Sequence, residues 1–323
     1  MKAIRIERTG GPEVLELAEV EVPSPKAGEI LVRHEAVGVN FIDTYHRTGL
    51  YPVKLPSGLG LEAGGVVEAV GDGVERFKAG DRVAYASGPI GAYSELHVTS
   101  AARAVKVPEG VDVTVAAAAL LKGMTAEFLV RRTFPVKAGD TILVHAAAGG
   151  VGSILVQWAK HLGARVIGTA GSEAKAELAR GHGADHVILY RDQDVAAEVR
   201  RLTDGQGVPV AYDSVGAATF EGTLGSLARR GMFVSFGNAS GPVPPFAPLR
   251  LSQAGSLFFT RPTMFDYTAT TQELDESAGA LFDVIKSGAV KIDIGQTFAL
   301  GDARRAHEAL EGRETVGASL LIP

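Results

Sequence analysis

Residues 141–172, TILVHAAAGGVGSILVQWAKHLGARVIGTAGS, decide the fold of this chain. Thr141 to His145 is an apolar run typical of a buried strand, and it ends in a glycine-rich turn. Beyond the turn, apolar residues recur at helical spacing, and Arg165 to Gly168 is a second short β-branched run. The stretch therefore predicts a strand–helix–strand unit with a right-handed crossover.

The glycine-rich turn has the spacing of a dinucleotide-binding fingerprint. Ala147, Gly149 and Gly152 stand at its three small-residue positions, with alanine in place of the first glycine. Small residues there make the tight turn, let the backbone approach a pyrophosphate and pack the helix close to the strand. The helix begins here, so its free N–H groups and dipole face the anion. A turn without a ligand is the alternative, but the flanking strands favour a dinucleotide site that includes Gly150 and Val151.

The composition narrows the class of protein. A chain of 323 residues is long enough for two domains, and its dispersed apolar residues, 46% of the total, are typical of a soluble protein without a membrane segment. No apolar signal segment is found near the start, so a cytoplasmic location is expected. The net charge of -5 and the absence of a Lys/Arg-rich run argue against a nucleic-acid partner. The absence of cysteine excludes disulfides, thiolate nucleophiles and every cysteine-containing zinc site.

The sequence on either side of this stretch predicts two domains. Residues 1 to about 120 contain short alternating strands with frequent Gly and Pro and no strong helix, which is typical of a partly closed barrel. Helical patterns from Val113 lead into the strand–helix–strand unit, after which strands and helices alternate as far as Thr260. Such alternation predicts a doubly wound parallel sheet. We therefore expect a β-rich domain of residues 1–122 and 263–323, with a dinucleotide-binding domain of residues 123–262 inserted in it.

Several segments resemble the zinc-free NADPH:quinone oxidoreductase (zeta-crystallin-like) branch of the medium-chain dehydrogenase/reductase superfamily. These segments are VGVNFIDTYHRTGLYP (37–52), GLGLEAGGVVEAVGDGV (58–74), HAAAGGVG (145–152), YDSVG (212–216), FGNASG (235–240) and FTRP (259–262). The resemblance implies an α/β protein with a GroES-like β-rich catalytic domain and an inserted Rossmann domain with a doubly wound parallel sheet. It also implies a homodimer.

The metal ligands of the zinc-dependent relatives have no counterparts here. Those proteins carry a Cys where Asn40 stands, a His where Leu61 stands and a Cys near Lys122. One close histidine pair remains, His182 and His186, but the pattern around it predicts a surface turn. We therefore expect no metal ion.

The cofactor is predicted to be NADPH. The second strand of the unit ends at residues 169–172 without the acidic residue that NAD-specific folds use for the ribose 2′-OH. Lys175 stands where it can neutralise a 2′-phosphate, although it has the alternative of an ordinary solvated lysine and Glu173 lies close by. The resemblance adds two positions that hold the adenosine phosphate. The predicted residues of this part of the site are Gly171, Ser172, Lys175, Tyr190 and Arg313.

The resemblance also implies a polar set around the acceptor and the nicotinamide ring. Its catalytic members are Asn40, Asp43, Tyr45 and Tyr51. Its cofactor-binding members are Ser214, Phe236, Gly237, Asn238, Phe259 and Thr260. Tyrosines can donate hydrogen bonds to a substrate oxygen, but single tyrosines and strand-end residues also serve for packing alone.

The resulting prediction is an oxidoreductase that reduces quinones with NADPH and without zinc. Two alternatives stay open. The protein could reduce the C=C bond of 2-alkenals or enones with the same cofactor, or it could be a non-catalytic NADPH-binding, crystallin-like protein.

Overall fold

The computed structural model describes residues 1–323 and divides into two compact units. The first unit contains Met1–Met124, Thr268–Lys286 and Ile292–Pro323. The second contains Thr125–Tyr267 and Ser287–Lys291. The second unit is thus built mainly from one continuous stretch, whereas both ends of the chain form the first.

In chain order, the strands are β1 Lys2–Ile6, β2 Glu16–Glu19, β3 Glu29–Val39, β4 Ser57–Gly58, β5 Glu62–Val70, β6 Arg82–Ala86, β7 Leu96–Ser100, β8 Ala104–Lys106, β9 Thr141–Val144, β10 Arg165–Ala170, β11 His186–Leu189, β12 Val208–Asp213, β13 Leu227–Ser235, β14 Phe258–Thr260, β15 Ile294–Ala299 and β16 Ala318–Ile322. The α-helices are α1 Phe41–Thr48, α2 Val113–Phe128, α3 Gly150–His161, α4 Glu173–Gly181, α5 Val195–Leu202, α6 Phe220–Ser226, α7 Leu249–Gln253, α8 Met264–Tyr267, α9 Thr271–Lys286 and α10 Ala303–Glu311.

The second unit has a six-stranded sheet in the order β11-β10-β9-β12-β13-β14. All its strand pairs are parallel, so the predicted doubly wound sheet is confirmed. The strand order reverses between β9 and β12. Ligands of such sheets bind outside the carboxyl ends of the strands at this reversal. A ligand is therefore expected at the loops that follow β9 and β12.

An aromatic cluster fills part of the core on one side of this sheet. The cluster contains four tilted or edge-to-face ring pairs, with centroids 5.0 to 5.7 Å apart, among Phe220, Phe233, Phe246 and Phe259. Pairs at these separations pack favourably beyond the apolar area that they bury. The cluster fixes α6 and the strands β13 and β14 against one another.

The first unit is β-rich, as predicted. A seven-stranded sheet has the order β15-β16-β3-β5-β6-β8, with β7 pairing with β3, and a second sheet has the order β2-β1-β4. Buried residues of both sheets share one hydrophobic core, which also includes Leu300, Ala303 and Ala306 near the start of α10. The C-terminal residues therefore complete the core of the N-terminal domain.

The prediction that the first 120 residues lack a strong helix is wrong at α1. Asn40 is extended just before α1 (φ -136°, ψ 154°), and its N–H donates to Asp43 Oδ2 at 2.8 Å. Gly49 ends the helix in the left-handed region (φ 83°), which glycine adopts without a steric penalty. Helix α1 therefore has signals at both ends, although its eight residues are too few to give a clear periodic pattern.

Helix α2 continues as a π-helical turn, Leu129–Thr133, so the two helical patterns predicted from Val113 onward belong to one element. The combined segment is long and apolar enough to span a bilayer, but 83% of its most apolar window is buried inside the protein. Burial of this kind is typical of a core helix.

Candidate functional site

The loop after β9 forms a turn whose backbone faces the start of α3. Ala146 has a positive φ of 51°, and the N–H of Gly149 donates to its carbonyl at 2.9 Å. Helix α3 begins at Gly150 without a side-chain cap. A Cβ on Gly152 would lie 2.2 Å from the Ala146 carbonyl oxygen, so only glycine fits there. The uncapped helix and the close backbone packing fit a dinucleotide pyrophosphate, with Val151 in the first helical turn.

The alanine at the first fingerprint position has a structural explanation. Ala147 is fully buried, and its methyl group would lie 2.8 Å from a Cβ placed on Gly168 of the neighbouring strand β10. The missing side chain on β10 therefore makes room for the extra methyl on the turn.

The end of β10 brings several of the predicted phosphate-binding residues together. A Cβ on Gly171 would lie 2.5 Å from the Tyr190 hydroxyl, so the phenol crosses directly over the backbone there. Ser172 caps α4 by accepting the N–H of Lys175 at 3.4 Å. Glu173 pairs with Arg180 at 2.6 Å, and this bond to Arg180 lowers the pKa of Glu173. Glu173 is thus engaged by a cation other than Lys175.

A buried hydrogen-bond network that sequence reasoning missed lies at the carboxyl ends of β9, β10 and β12. Asp213 is fully buried, and its two oxygens accept four hydrogen bonds, which come from the backbone N–H groups of Val215 and Gly216 and from the hydroxyls of Thr219 and Thr223. The Thr223 hydroxyl donates its single proton to Asp213. It therefore accepts the hydrogen bond from His145 Nε2 at 2.8 Å.

The other nitrogen of His145, Nδ1, lies 3.2 Å from the Thr169 hydroxyl, which also accepts the N–H of Ala146 at 3.3 Å. Burial lowers the pKa of His145, with Asp213 acting in the opposite direction. A neutral imidazole satisfies both contacts, because one nitrogen donates and the other accepts. The network therefore fixes the glycine-rich turn to the two neighbouring strands.

The remaining predicted cofactor residues of the second unit follow β12 and β13. A Cβ on Gly237 would lie 2.4 Å from the carbonyl oxygen of Ser214, so these two segments touch through their backbones. Phe236 and Asn238 flank that contact along the chain. Phe259 and Thr260 lie in β14, and the Phe259 ring belongs to the aromatic cluster. The side chain of Phe259 therefore serves packing.

In the first unit, Asn40 shares a buried carboxylate with a lysine. Asn40 Nδ2 donates to Glu62 Oε2 at 2.8 Å, and Lys122 Nζ donates to the same oxygen at 3.0 Å. The other oxygen, Glu62 Oε1, accepts the N–H of Leu121 at 2.6 Å. Glu62 is 0% exposed and Lys122 is 5% exposed. Gly38 makes the space, because a Cβ there would lie 2.1 Å from Glu62 Oε2.

Asp43 begins a second buried chain of hydrogen bonds. Its Oδ2 accepts from the Tyr93 hydroxyl at 2.9 Å, and Tyr93 lies 3.0 Å from His307 Nε2. Arg47 donates to His307 Nδ1 at 2.9 Å and pairs with Glu311 at 2.7 and 2.9 Å. Since Arg47 can only donate, His307 Nε2 carries the proton and donates to Tyr93. The C-terminal helix α10 thereby holds α1 in place.

Burial is the main cause of the pKa shifts in this chain of groups. It raises the pKa of Asp43 to about 7 and lowers the pKa of His307 to about 3. Asp43 Oδ1 is buried and has no hydrogen-bond partner. Asp43 thus caps α1 through one oxygen and keeps the other unused.

The two predicted tyrosines lie together. The Tyr45 and Tyr51 rings meet edge to face with centroids 5.2 Å apart. The Tyr51 ring also meets the His46 ring edge to face, with centroids 5.9 Å apart. Tyr45 is 8% exposed and belongs to α1, whereas Tyr51 follows the helix and its N–H donates to the Tyr45 carbonyl at 3.0 Å. All four predicted catalytic residues are therefore on α1 or within a few residues of its ends.

Arg313 and the histidine pair are the remaining positions that the sequence singled out. Arg313 follows α10 in the first unit with a positive φ of 60°. His182 caps the end of α4, while His186 begins β11 and lies 2.8 Å from Arg165 Nη2 through Nε2. No group of three or more His, Asp or Glu side chains is arranged to hold a metal ion.

Sequence reasoning missed the roles of Glu62, Lys122, Tyr93 and His307, along with that of Asp213. The available signals were polar or charged residues inside apolar segments, such as Glu62 in GLGLEAGG and Lys122 in AAAALLKGMTA. Charged residues are almost never fully buried unless they are paired, so such positions indicate a partner elsewhere in the chain.

Comparisons with known proteins match this geometry over the whole chain. Residues 26–109 match the alcohol dehydrogenase GroES-like domain, and residues 150–283 match the zinc-binding dehydrogenase family. The quinone oxidoreductase of Pseudomonas aeruginosa is 53% identical, over 100% of this chain and 99% of that protein. The 2-haloacrylate reductase of Burkholderia sp is 45% identical, over 98% of each chain. The crystal structure of Escherichia coli quinone oxidoreductase complexed with NADPH has a TM-score of 0.99 and 49% identity, with 100% of both chains covered.

Proposed function

Because this chain belongs to the zinc-free NADPH:quinone oxidoreductase branch of the medium-chain dehydrogenase/reductase superfamily, we propose that it reduces quinones with NADPH and without a metal ion. The quinone oxidoreductases of Pseudomonas aeruginosa and Escherichia coli support the substrate class. The Escherichia coli enzyme crystallised with NADPH supports the cofactor.

The observation that carries the proposal is the donor set at the three positions where zinc-dependent relatives bind their metal. Leu61 is an alkyl side chain, 3% exposed, and offers no ligand. Lys122 places an ammonium there and pairs it with Glu62. An ammonium has no lone pair, and its charge repels a cation. This set does not fit zinc, and it suits a neutral acceptor that becomes negatively charged.

Quinone chemistry explains why such a site suffices. Hydride transfer to a quinone leaves a hydroquinone anion, which resembles tyrosinate with a pKa of about 10. The pKa of the alcohol that forms an alkoxide lies closer to that of water, about 15.7. Delocalisation over the quinone ring therefore stabilises the anion by roughly 8 kcal/mol relative to an alkoxide. An alcohol–ketone couple lacks this stabilisation and depends on a Lewis acid.

One group of residues would bind the cofactor, and a second group would orient the acceptor. The uncapped start of α3 and the Gly149–Gly152 turn would hold the pyrophosphate, while Ser172, Lys175 and Tyr190 would hold the 2′-phosphate. NADPH, when bound there, supplies a hydride. The amide of Asn40 and the phenols of Tyr45 and Tyr51 would orient the acceptor, and water supplies the proton that completes the hydroquinone.

A substrate panel tests the proposal. Quinones, 2-alkenals, enones and 2-haloacrylates are assayed with NADPH and with NADH, and primary alcohols are assayed with NADP⁺ and with NAD⁺. We expect quinones with NADPH to give the highest kcat/KM, and Asn40→Ala and Tyr51→Phe to lower quinone turnover more than NADPH affinity. Rapid alcohol oxidation, with no quinone turnover, would refute the proposal.

Enone reduction is the second candidate, and one observation favours it. The 2-haloacrylate reductase of Burkholderia sp is 45% identical to this chain. Reduction of an activated C=C bond also leaves a delocalised anion, so the same residues suit it. A higher kcat/KM for 2-alkenals or 2-haloacrylates than for quinones in the panel would favour this assignment. A protein that binds NADPH and reduces nothing in the panel would be the non-catalytic alternative.

We also propose a cytoplasmic homodimer. Strand β14 is an edge of its sheet, and Phe258 within it is 55% exposed. An unpaired apolar edge favours pairing with a second copy. Sedimentation at micromolar concentration should show a dimer, and Phe258→Glu should shift it to monomer. Leu178→Glu, at a residue 39% exposed on α4, is the matched control and should leave the dimer intact.

A further inference from the structure

We propose that the Lys122 ammonium binds the oxygen of the acceptor and stabilises the negative charge that forms on it during reduction. The proposal deepens the quinone reduction proposed above and rests on it. It assigns a role to Lys122, which belongs to neither the glycine-rich turn nor the tyrosine pair.

Lys122 has unused hydrogen-bonding capacity. The residue is 5% exposed, and Glu62 Oε2, at 3.0 Å, is the acceptor that it reaches. An ammonium has three N–H bonds, so two have no protein acceptor. Buried donors without partners cost free energy, and native structures keep them where a ligand or water completes them.

Both oxygens of Glu62 have partners within the protein. Its Oε2 accepts from Asn40 and Lys122, and its Oε1 accepts from the N–H of Leu121. Both carboxylate oxygens are thus engaged, and Oε2 holds the Lys122 and Asn40 nitrogens beside one another. An acceptor oriented by Asn40 therefore lies next to the ammonium.

An unused acceptor lies beside Asn40. Asp43 Oδ1 is buried without a partner, and the other oxygen of the same carboxyl accepts the Asn40 N–H at 2.8 Å. Spare donors and a spare acceptor near Asn40 suit a molecule whose carbonyl oxygen becomes a hydroxyl on reduction.

The chemistry is balanced without a further reagent. The hydride from NADPH carries two electrons and one proton to the quinone and leaves a hydroquinone monoanion, which then takes a proton from water. A fixed positive charge beside that oxygen lowers the barrier, because the low-dielectric interior strengthens the attraction. Loss of one donor of this kind slows turnover by about 10²- to 10³-fold in other enzymes.

The test compares Lys122→Met with the double variant Lys122→Met/Glu62→Gln. Lys122→Met leaves an unpaired buried carboxylate, so both the melting temperature and kcat should fall. The double variant removes that carboxylate as well, so it should regain the melting temperature while kcat stays about 100-fold low. Lys122→Arg, which keeps the charge, should retain part of kcat. Lys26→Met, at an exposed lysine of the first unit, is the control, and NADPH affinity should stay unchanged in every variant.

A readout without turnover separates this inference from the proposed function. Bound 4-nitrophenol, whose phenolate mimics the hydroquinone anion, should ionise at lower pH in the wild-type protein with NADP⁺ than in water. The double variant should lose that shift. A double variant with wild-type kcat and an unchanged 4-nitrophenol shift would overturn the inference. A wild-type protein that shifts 4-nitrophenol but reduces no quinone would overturn the proposed substrate and leave the anion site standing.

Discussion

The glycine-rich turn after β9 and the charged cluster around Glu62 are built by opposite means. The turn consists of small residues and backbone groups within a few positions of one another, such as Gly149 and the Ala146 carbonyl. The cluster consists of long, ionisable side chains far apart in sequence, such as Glu62 and Lys122, and of the chain from Asp43 through Tyr93 to His307. The first offers a ligand a fitted shape, whereas the second offers it charged groups.

This difference teaches where each region is sensitive. A turn built from backbone groups must shift when a single methyl group is added, and those backbone groups do not titrate. A cluster of buried charges responds to protonation as well as to shape, because burial opposes ionisation. Three variants test that contrast, and they are given in order of decreasing expected effect.

Asp43→Asn should stabilise the protein above neutral pH. Asparagine mimics the protonated acid and can still accept from the Asn40 N–H and the Tyr93 hydroxyl. The folded-state pKa of Asp43, about 7, lies above its ordinary value of 3.8. Its contribution to stability is therefore complete below that ordinary value and is lost as the pH rises through about 7. The free energy of unfolding of the variant relative to wild type should rise by on the order of 4 kcal/mol between pH 4 and pH 8.

Urea unfolding at several pH values measures this difference. The neighbouring groups Glu62, Lys122 and His307 are present in both proteins, so their contributions to the difference largely cancel. Asp192→Asn, at an exposed aspartate, should show no trend with pH. A difference that stays flat or falls with rising pH would mean that Asp43 is ionised and well solvated, contrary to the account of this cluster.

Gly152→Ala should weaken NADPH binding by about 10- to 100-fold, because the added Cβ would lie 2.2 Å from the Ala146 carbonyl oxygen and the turn must shift. Fluorescence titration of NADPH measures the effect, which should be the same at pH 6 and pH 8. Gly181→Ala is the control, since a Cβ there meets nothing within 4 Å. Unchanged NADPH affinity in Gly152→Ala would show that the turn does not hold the cofactor.

Lys175→Ala should have the smallest effect. The lysine is half-buried in the first turn of α4, and a partly exposed charge pair contributes about 1 kcal/mol, so the ratio of NADPH to NADH affinity should fall about fivefold. Titration of both nucleotides gives the ratio, with Lys137→Ala at an exposed site as the control. An unchanged ratio would remove Lys175 from the 2′-phosphate site.

The same contrast explains what could be predicted from the sequence. The strand–helix–strand unit and the parallel sheet have local periodic signals, and the sheet is confirmed strand by strand. Helix α1 has only eight residues, so Asn40, Asp43 and Gly49 at its ends were its main signals. Glu62 and Lys122 stand 60 residues apart, and Tyr93 and His307 stand 214 apart. Only the tertiary fold brings such pairs together, so the residue roles in the charged cluster could not be derived from local patterns.

The most direct test of the account is the rate of quinone reduction by NADPH before and after removal of metal ions. The account holds that the acceptor anion is stabilised by the cluster of Asn40, Glu62 and Lys122 rather than by a Lewis acid. Initial rates should therefore be equal for the purified protein, the protein dialysed against a chelator, and the dialysed protein supplied with Zn²⁺. Loss of activity on dialysis, with recovery on addition of Zn²⁺, would contradict the central claim.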